Sequence, residues 1–253
     1  MKAVLEGKDI SRSYRKDSRV IQALHPISFQ VEQGEILGIV GESGSGKSTL
    51  LKQIAGLEVS DTGELFIDGE KLELTRHFDR RKRYREIQMV FQNAAGSFNP
   101  RRKIKDSMRE NLRFLSGIKN KEQQDAIMRE YMQKVDLKEE LLDRYPGNLS
   151  GGQCQRAAIA RALMVNPKIL LCDEITSALD VIVQDKVVDV IIKLAGELHV
   201  AVIFVSHDLA LVGSLCDRIL VMKDGTAVEQ GSVEEILSHP KTDYTKLLLD
   251  SIL

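Results

Sequence analysis

The chain has 253 residues, 43% hydrophobic and 29% charged, enough to bury one substantial core with an attached subdomain. Thirty-six basic against 37 acidic residues leave a net charge of −1, so no overall field draws it to nucleic acid or to an anionic membrane. The longest apolar runs, such as 200–205, fall far short of the ~20 residues of a spanning helix, and Glu6 and Asp9 replace an apolar leader core.

Taken in chain order, residues 3–9 and 23–32 read as strand material, followed by a short apolar run over 35–40. A glycine-rich loop comes next, and residues 50–57 then continue at helical spacing. Residues 63–68, the Asp68-Gly69 turn and Lys71-Leu72 read as a hairpin, which predicts a small antiparallel sheet beside the main one. From about 99 to 161 strand patterning disappears, and 122–137 places Ile127, Met128, Tyr131, Met132 and Val135 on one helical face. Runs at 168–172, 200–205 and 218–222 then alternate with helices near 183–197 and 209–215, the rhythm of a parallel sheet. Cys154, Cys172 and Cys216 form no CxxC pair and read as packed thiols in a reducing compartment, with neither a disulfide framework nor a zinc site.

The glycine-rich loop, Gly41-Glu42-Ser43-Gly44-Ser45-Gly46-Lys47-Ser48, fits the P-loop pattern in its required setting between a strand and a helix. Gly41, Gly44 and Gly46 let the backbone fold into a nest of N–H groups facing phosphate oxygens, and the following helix adds the positive end of its dipole. Lys47 supplies a mobile charge to the β- and γ-phosphates, Ser48 a hydroxyl for Mg²⁺, and Thr49 a bond to a more remote phosphate oxygen.

A second stretch, Leu149-Ser150-Gly151-Gly152-Gln153, also opens a helix with backbone N–H groups but has no lysine. One complete phosphate pocket and one incomplete surface imply a partner that supplies the missing half. The apolar run 169–172 leads into Asp173-Glu174, two carboxylates at the C-terminal end of a buried strand, where ligands of open α/β sheets collect. Asp173 would hold Mg²⁺ through water, and Glu174 would orient and polarise an attacking water.

These motifs, with Gln92 after Met89-Val90-Phe91, Ser177-Ala178-Leu179-Asp180 and His207, stand in the order and at the intervals of the ATP-binding subunits of ABC transporters, which the whole chain resembles. The resemblance implies a single nucleotide-binding domain over 1–253. Its α/β P-loop NTPase core has a mostly parallel sheet and an N-terminal antiparallel β part, over about 1–98 and 167–253, with an inserted α-helical signature subdomain over about 99–166. It implies ATP and Mg²⁺ as cofactors, Tyr14 stacking on adenine beside the P-loop set Gly41 and Ser43 to Thr49, and Ser48, Gln92 and Asp173 serving Mg²⁺. Ser150, Gly151, Gly152 and Gln153 would close on the γ-phosphate held by a second, facing ATPase subunit, identical or related. Asp180 would run along the dimer seam. Gln92 would reach the metal and the water and report nucleotide state, and His207 would contact the γ-phosphate. The partners implied are two membrane permease subunits and, through the complex, an extracytoplasmic substrate-binding protein, with the chain at the cytoplasmic face of the cell membrane.

Ile175 stands where proline usually follows the catalytic glutamate, Asn93-Ala94 replace a frequent Asp-Pro, and Cys154 follows the signature glutamine. None removes a ligand, although losing the proline would loosen the turn that aims Glu174. The segment 96–101, the run 178–184 and the tail with His239-Pro240, Tyr244-Thr245 and Leu247-Leu248 look like the dipeptide, oligopeptide and nickel importers. With no cysteine-bearing tail, the chain reads as closer to the short nickel- or metallophore-type subunits. The basic cluster of Arg76, Arg80, Arg81, Lys82, Arg83 and Arg85, followed by Arg101, Arg102 and Lys103, has only Tyr84 and Phe98 nearby and reads by default as a solvated face, with a face near anionic lipid or a permease loop as the other reading, not as a nucleic-acid surface. A second function remains open, that of a non-transport ATPase component of a soluble assembly such as a phosphonate-cleaving complex.

Overall fold

The computed structural model describes residues 3–16, 19–72, 80–177 and 179–250. In chain order it runs β1 (Ala3–Lys16), β2 (Arg19–Glu32), β3 (Ile36–Val40), α1 (Lys47–Ala55), β4 (Thr62–Ile67), β5 (Glu70–Leu72), α2 (Arg80–Glu86) and β6 (Ile87–Val90). Helices α3 (Ile104–Phe114), α4 (Lys121–Lys134) and α5 (Gly151–Leu163) follow, then β7 (Ile169–Asp173), α6 (Val181–Leu198), β8 (Ala201–Val205) and α7 (Leu209–Leu215). The chain closes with β9 (Arg218–Lys223), β10 (Thr226–Ser232), α8 (Val233–Ser238) and α9 (Asp243–Asp250). It divides into two compact units, one of residues 1–78 and 201–253 and the other of residues 79–200.

The first unit holds two sheets. One is antiparallel, in the order β2-β1-β4-β5, with Glu6 opposite both Gln30 and Phe66. This is the small antiparallel sheet expected from the sequence, but β1 continues past residue 9 to Lys16 and β2 begins at Arg19, ahead of the stretch read as strand. Register shifts between β1 and β2 accommodate that length. In the other sheet β3 lies parallel between β8 and β9, with Ile39 opposite Val205 on one side and Leu220 on the other, and β10 adds antiparallel to β9. Every residue of β3 and of β8 is buried, as continuous apolar runs covered on both faces must be. Strand ends that bear the loops after β3 and β8 are therefore set in a rigid, dry layer.

The second unit pairs β6 with β7 in parallel, Gln88 opposite Leu170, and carries the helices α2 to α6. Met128, Tyr131, Met132 and Val135 are buried along α4 and just past its end, as the helical spacing predicts, while Ile127 is only half-buried at the margin of that face; the buried four meet a core that includes Ile104, Met108 and Leu112 of α3. In α2, Arg80, Arg81, Lys82 and Arg85 face solvent as expected of a solvated face. Arg83 does not: it is buried, and burial pushes its guanidinium down to about 10. Arg76 lies outside the described residues. Cys154, Cys172 and Cys216 are buried and free, and burial pushes the Cys154 and Cys172 thiols up, which keeps both neutral and unreactive. Among the described residues no helix is long and apolar enough to cross a membrane.

Candidate functional site

In the first unit the loop between β3 and α1 carries the P-loop residues. Gly41 has φ +151°, and a Cβ there would meet the Met222 carbonyl oxygen at 2.1 Å, so only glycine lets the loop leave β3 this close to β9. Gly44 has φ +85° and open space where a side chain would be, which leaves backbone accessible at the crest of the loop. Gly46 is the N-cap of α1, and the Ser45 carbonyl is braced by the Gly225 N–H at 3.1 Å. Lys47 is 4% exposed and folds back under the loop, donating from Nζ to the Gly41 carbonyl at 2.7 Å and the Glu42 carbonyl at 2.8 Å. A buried ammonium beneath a left-handed glycine crest at a helix N-terminus is an arrangement suited to polyphosphate. Ser43 is exposed, Ser45 is buried, and Ser48 and Thr49 are half-buried in the first turn of α1.

Tyr14 of β1 comes to this loop from a distant part of the sequence. Its hydroxyl hydrogen-bonds Glu58 and Thr49, and the Arg12 guanidinium lies 4.9 Å from the ring centroid. Burial and the Glu58 partner raise the phenol, so it stays neutral. His207 follows β8 and is exposed, unlike a packed core histidine. The turn that presents it is pinned on both sides: Ser206 is buried and its hydroxyl accepts from the Asp208 N–H at 3.0 Å, while the Asp208 carboxylate caps α7 by accepting from the Leu211 N–H at 3.0 Å. One contact has no counterpart in any motif. The hydroxyl of Tyr244, on α9, accepts the Glu42 N–H at 3.1 Å.

In the second unit Gln92 follows β6, and Asp173 ends β7 with Glu174 directly after it. Both carboxylates are half-buried. Glu174 sits at φ +47°, a left-handed conformation that a non-glycine residue holds only when its surroundings impose it. They do so here. Ser177 Oγ donates to the Glu174 carbonyl at 2.9 Å, the Ser177 N–H reaches the same oxygen at 3.2 Å, and Ile175 is anchored in the core at 1% exposure. Ser177 Oγ also accepts from Gln92 Nε2 at 2.9 Å, so Gln92 and the turn of Glu174 form one chain of hydrogen bonds. Ala178 is not among the described residues, and Asp180 caps α6 by accepting from the Val183 N–H at 3.0 Å.

The signature residues open α5. Ser150 is its N-cap in a capping box: Ser150 Oγ accepts from the Gln153 N–H at 3.3 Å, and Gln153 Oε1 accepts from the Ser150 N–H at 3.0 Å. Ser150 and Gly151 are exposed and no acidic residue occupies the first turn, so the positive end of the helix dipole faces solvent uncompensated. Gly152 is buried, and a Cβ on it would lie 2.2 Å from Val183 Cγ1 of α6. Further along the same helix, Arg161 donates to the Ser97 carbonyl at 2.7 Å and to Ser97 Oγ at 2.9 Å and lies 4.2 Å from the Phe98 ring centroid. Gln155 Nε2 reaches the Phe91 carbonyl at 3.4 Å. Thus α5 holds the Gln92 loop on both flanks. Arg161 belongs to none of the motifs, and although Ser177 opens the run that ends in Asp180, only the folded contacts reveal its bonds to Gln92 and Glu174.

Ser48, Gln92 and Asp173 offer hydroxyl, amide and carboxylate oxygens, the donor chemistry that a hard divalent cation such as Mg²⁺ takes. With the nitrogen end of Gln92 committed to Ser177, its oxygen end is the one available for such a role.

Comparison with known proteins agrees with this geometry. The ABC transporter family profile matches residues 24–177. The chain is 38% identical to the di/tripeptide transport ATP-binding protein DppF of Pseudomonas aeruginosa, covering 99% of this chain and 79% of that one. It is 40% identical to the oligopeptide transport ATP-binding protein OppF of Streptococcus mutans, covering 99% and 82%. It superposes with a TM-score of 0.81 on the ATP-binding cassette MJ0796, solved as a post-hydrolysis dimer bound to ADP and Pi, at 32% identity over 90% of this chain and 98% of that one. With the phosphate loop, the acidic strand end and the capped signature helix each in place within its unit, the chain belongs to the ABC transporter family and is an ATPase of the ATP-binding cassette type that uses ATP with Mg²⁺.

Proposed function

We propose that the chain powers import of a small substrate, a short peptide or a nickel or other metal chelate, through a pair of membrane permease subunits. It acts at the cytoplasmic face of the membrane and draws on an extracytoplasmic binding protein through the complex. The names of its relatives, peptide transport ATP-binding proteins at 38–40% identity over nearly the whole chain, favour the peptide arm.

The observation that carries the mechanism is the exposed, capped N-terminus of α5, with no acidic residue in its first turn and no lysine of its own. Such a surface attracts a γ-phosphate without holding a nucleotide alone. Ser150, Gly151, Gly152 and Gln153 therefore serve ATP bound by a second, facing ATPase subunit, with Asp180 at the seam. In each copy Gly41 and Ser43 to Thr49 cradle the phosphates and Tyr14 stacks on the base with the ring face not covered by Arg12. Glu174 acts as general base toward the attacking water, while His207 and Gln92 contact the γ-phosphate and the water. Ser48, Gln92 and Asp173 would hold Mg²⁺, which when bound would neutralise charge on the phosphate oxygens. Closing the pair around ATP and reopening it after hydrolysis would move the Gln92 loop, and α5, which clamps that loop, would carry the motion to the permeases.

Affinity purification of the tagged chain from detergent-solubilised membranes tests the assignment to transport. Recovery with hydrophobic permease subunits is the expected result. Recovery only with soluble enzymes would instead support the phosphonate-cleaving type of assembly.

A further inference from the structure

A single carboxylate fixes the start of the C-terminal helix. Glu229 of β10 is buried and accepts four hydrogen bonds: from the Lys241 N–H at 2.8 Å, the Thr242 N–H at 3.1 Å, Thr242 Oγ1 at 3.1 Å and Thr245 Oγ1 at 2.6 Å. The Thr245 N–H adds a bond to Thr242 Oγ1 at 3.1 Å. Charge-assisted bonds to one rigid acceptor hold the first turn of α9 in one rotational setting. That setting aims Tyr244, which lies between the two threonines. Tyr244 as a whole is 9% exposed, with the Lys223 ammonium 4.7 Å from the ring centroid, and its hydroxyl takes the Glu42 N–H at 3.1 Å.

The N–H so held belongs to the peptide plane whose carbonyl is Gly41 O, and that oxygen accepts from Lys47 Nζ at 2.7 Å. One planar unit is therefore gripped at its N–H end by Tyr244 and at its oxygen end by the P-loop lysine. Rocking the plane to improve either bond degrades the other. A hydrogen bond at the N–H also polarises the amide and strengthens its carbonyl as an acceptor for the ammonium. Gly41 itself has no slack, because Met222 O stands against it.

We propose that Tyr244 is a positioning residue for nucleotide: through the Gly41–Glu42 peptide, α9 sets where the Lys47 ammonium sits and thereby tunes affinity for nucleoside di- and triphosphates. The inference rests on the reading of this loop as the ATP phosphate cradle. Tyr244 contacts no reacting atom in this scheme, so its loss weakens binding and leaves the rate at saturation alone.

The test uses the full chain with Mg²⁺, measuring Kd for ATP and ADP by displacement of a fluorescent ATP analogue, together with basal ATP hydrolysis and the melting temperature. Tyr244→Phe, which keeps the ring and removes the acceptor, is expected to raise both Kd values and KM about threefold to tenfold, the worth of one such hydrogen bond. Its kcat is expected to stay within about twofold of wild type. Glu229→Gln, which loosens α9 without touching the loop, is expected to raise Kd in the same direction. Tyr131→Phe deletes a hydroxyl bonded to Asn166 Oδ1 at 3.0 Å in the other unit, and serves as the control that keeps wild-type Kd. Wild-type Kd in folded Tyr244→Phe, or a fall in kcat with Kd unchanged, overturns the proposal while leaving the cradle reading intact, provided Lys47→Ala loses nucleotide. Undiminished binding by Lys47→Ala overturns the cradle reading itself.

Discussion

Gln92 and Ser177 are joined by a hydrogen bond of 2.9 Å across 85 positions of sequence, and Ser177 passes the link to the Glu174 carbonyl. The residue proposed to sense nucleotide and the turn that aims the proposed base are thus parts of one hydrogen-bonded unit. Ile175 stands where the family resemblance implies proline, and the turn is held by Ser177 from outside and by burial of Ile175 from within. Ser177→Ala is accordingly expected to leave ATP affinity unchanged and to lower turnover about threefold to tenfold, the range of one lost hydrogen bond. Wild-type steady-state hydrolysis in that variant would show that the link is incidental.

Replacing Glu174 with Gln tests the base itself. The amide keeps the size of the side chain and removes its ability to take a proton, so turnover should fall by about 10² to 10⁴ while ATP still binds. ATP-bound dimer should then accumulate on size-exclusion chromatography. Full activity would show that another group activates the water.

Two adjacent signature glycines should separate folding from function. A Cβ on Gly151 meets only Leu179 Cδ2 at 3.5 Å, whereas one on Gly152 would collide with Val183 Cγ1 at 2.2 Å. Gly151→Ala should melt like wild type yet lose turnover at the exposed helix end. Gly152→Ala should lose about 1–3 kcal/mol of stability from overpacking between α5 and α6. Equal melting temperatures for the two variants would contradict this distinction.

Arg161 is expected to matter for stability as well as for communication. Truncation to Ala removes two hydrogen bonds to Ser97 and the contact with the Phe98 ring, a loss of about 2–4 kcal/mol in urea unfolding. Arg161→Lys cannot reproduce the planar fork and should recover only part of it. Recovery of full stability by lysine would mean that charge alone is enough at this position.

Acid should release α9. Burial pushes the Glu229 carboxyl up, but the bonds from Thr245, Lys241 and Thr242 outweigh it and hold the group below its ordinary value of 4.5. A depressed carboxylate contributes its stability fully above the unfolded-state value and loses it as pH falls through the folded-state value. The stability gap between wild type and Glu229→Gln should therefore be full near about pH 7 and shrink toward about pH 3. A gap that does not change over that interval would show that the carboxylate's charge is not what anchors the helix.

Much of this protein was legible in one dimension because its motifs are contiguous and their physics is local. The P-loop announces itself by glycine spacing next to Lys47 and Ser48, since a phosphate nest needs consecutive N–H groups and a helix N-terminus. The strand ending in Asp173-Glu174 announces itself by an apolar run that stops at two charges. Strands that bury both faces, such as β3 and β8, are plain for the same reason. Less regular elements were not. β6 is a four-residue strand, and β10 carries a buried glutamate where an apolar residue would mark a strand.

The sequence by itself therefore determined the apolar strands that lead into the phosphate loop and into Asp173-Glu174, the residues of that loop and the family they specify, because those depend on neighbours a few positions apart. Only the tertiary structure decided which distant side chains hold those residues in place: Ser177 between Gln92 and Glu174, Arg161 against Ser97, Tyr14 beside Thr49, and Tyr244 on the Glu42 amide. Such partners are chosen by proximity after folding. A serine, an arginine or a tyrosine carries no mark of that choice in its own stretch of chain, since the hydrogen bond it makes is defined by a group far away in sequence.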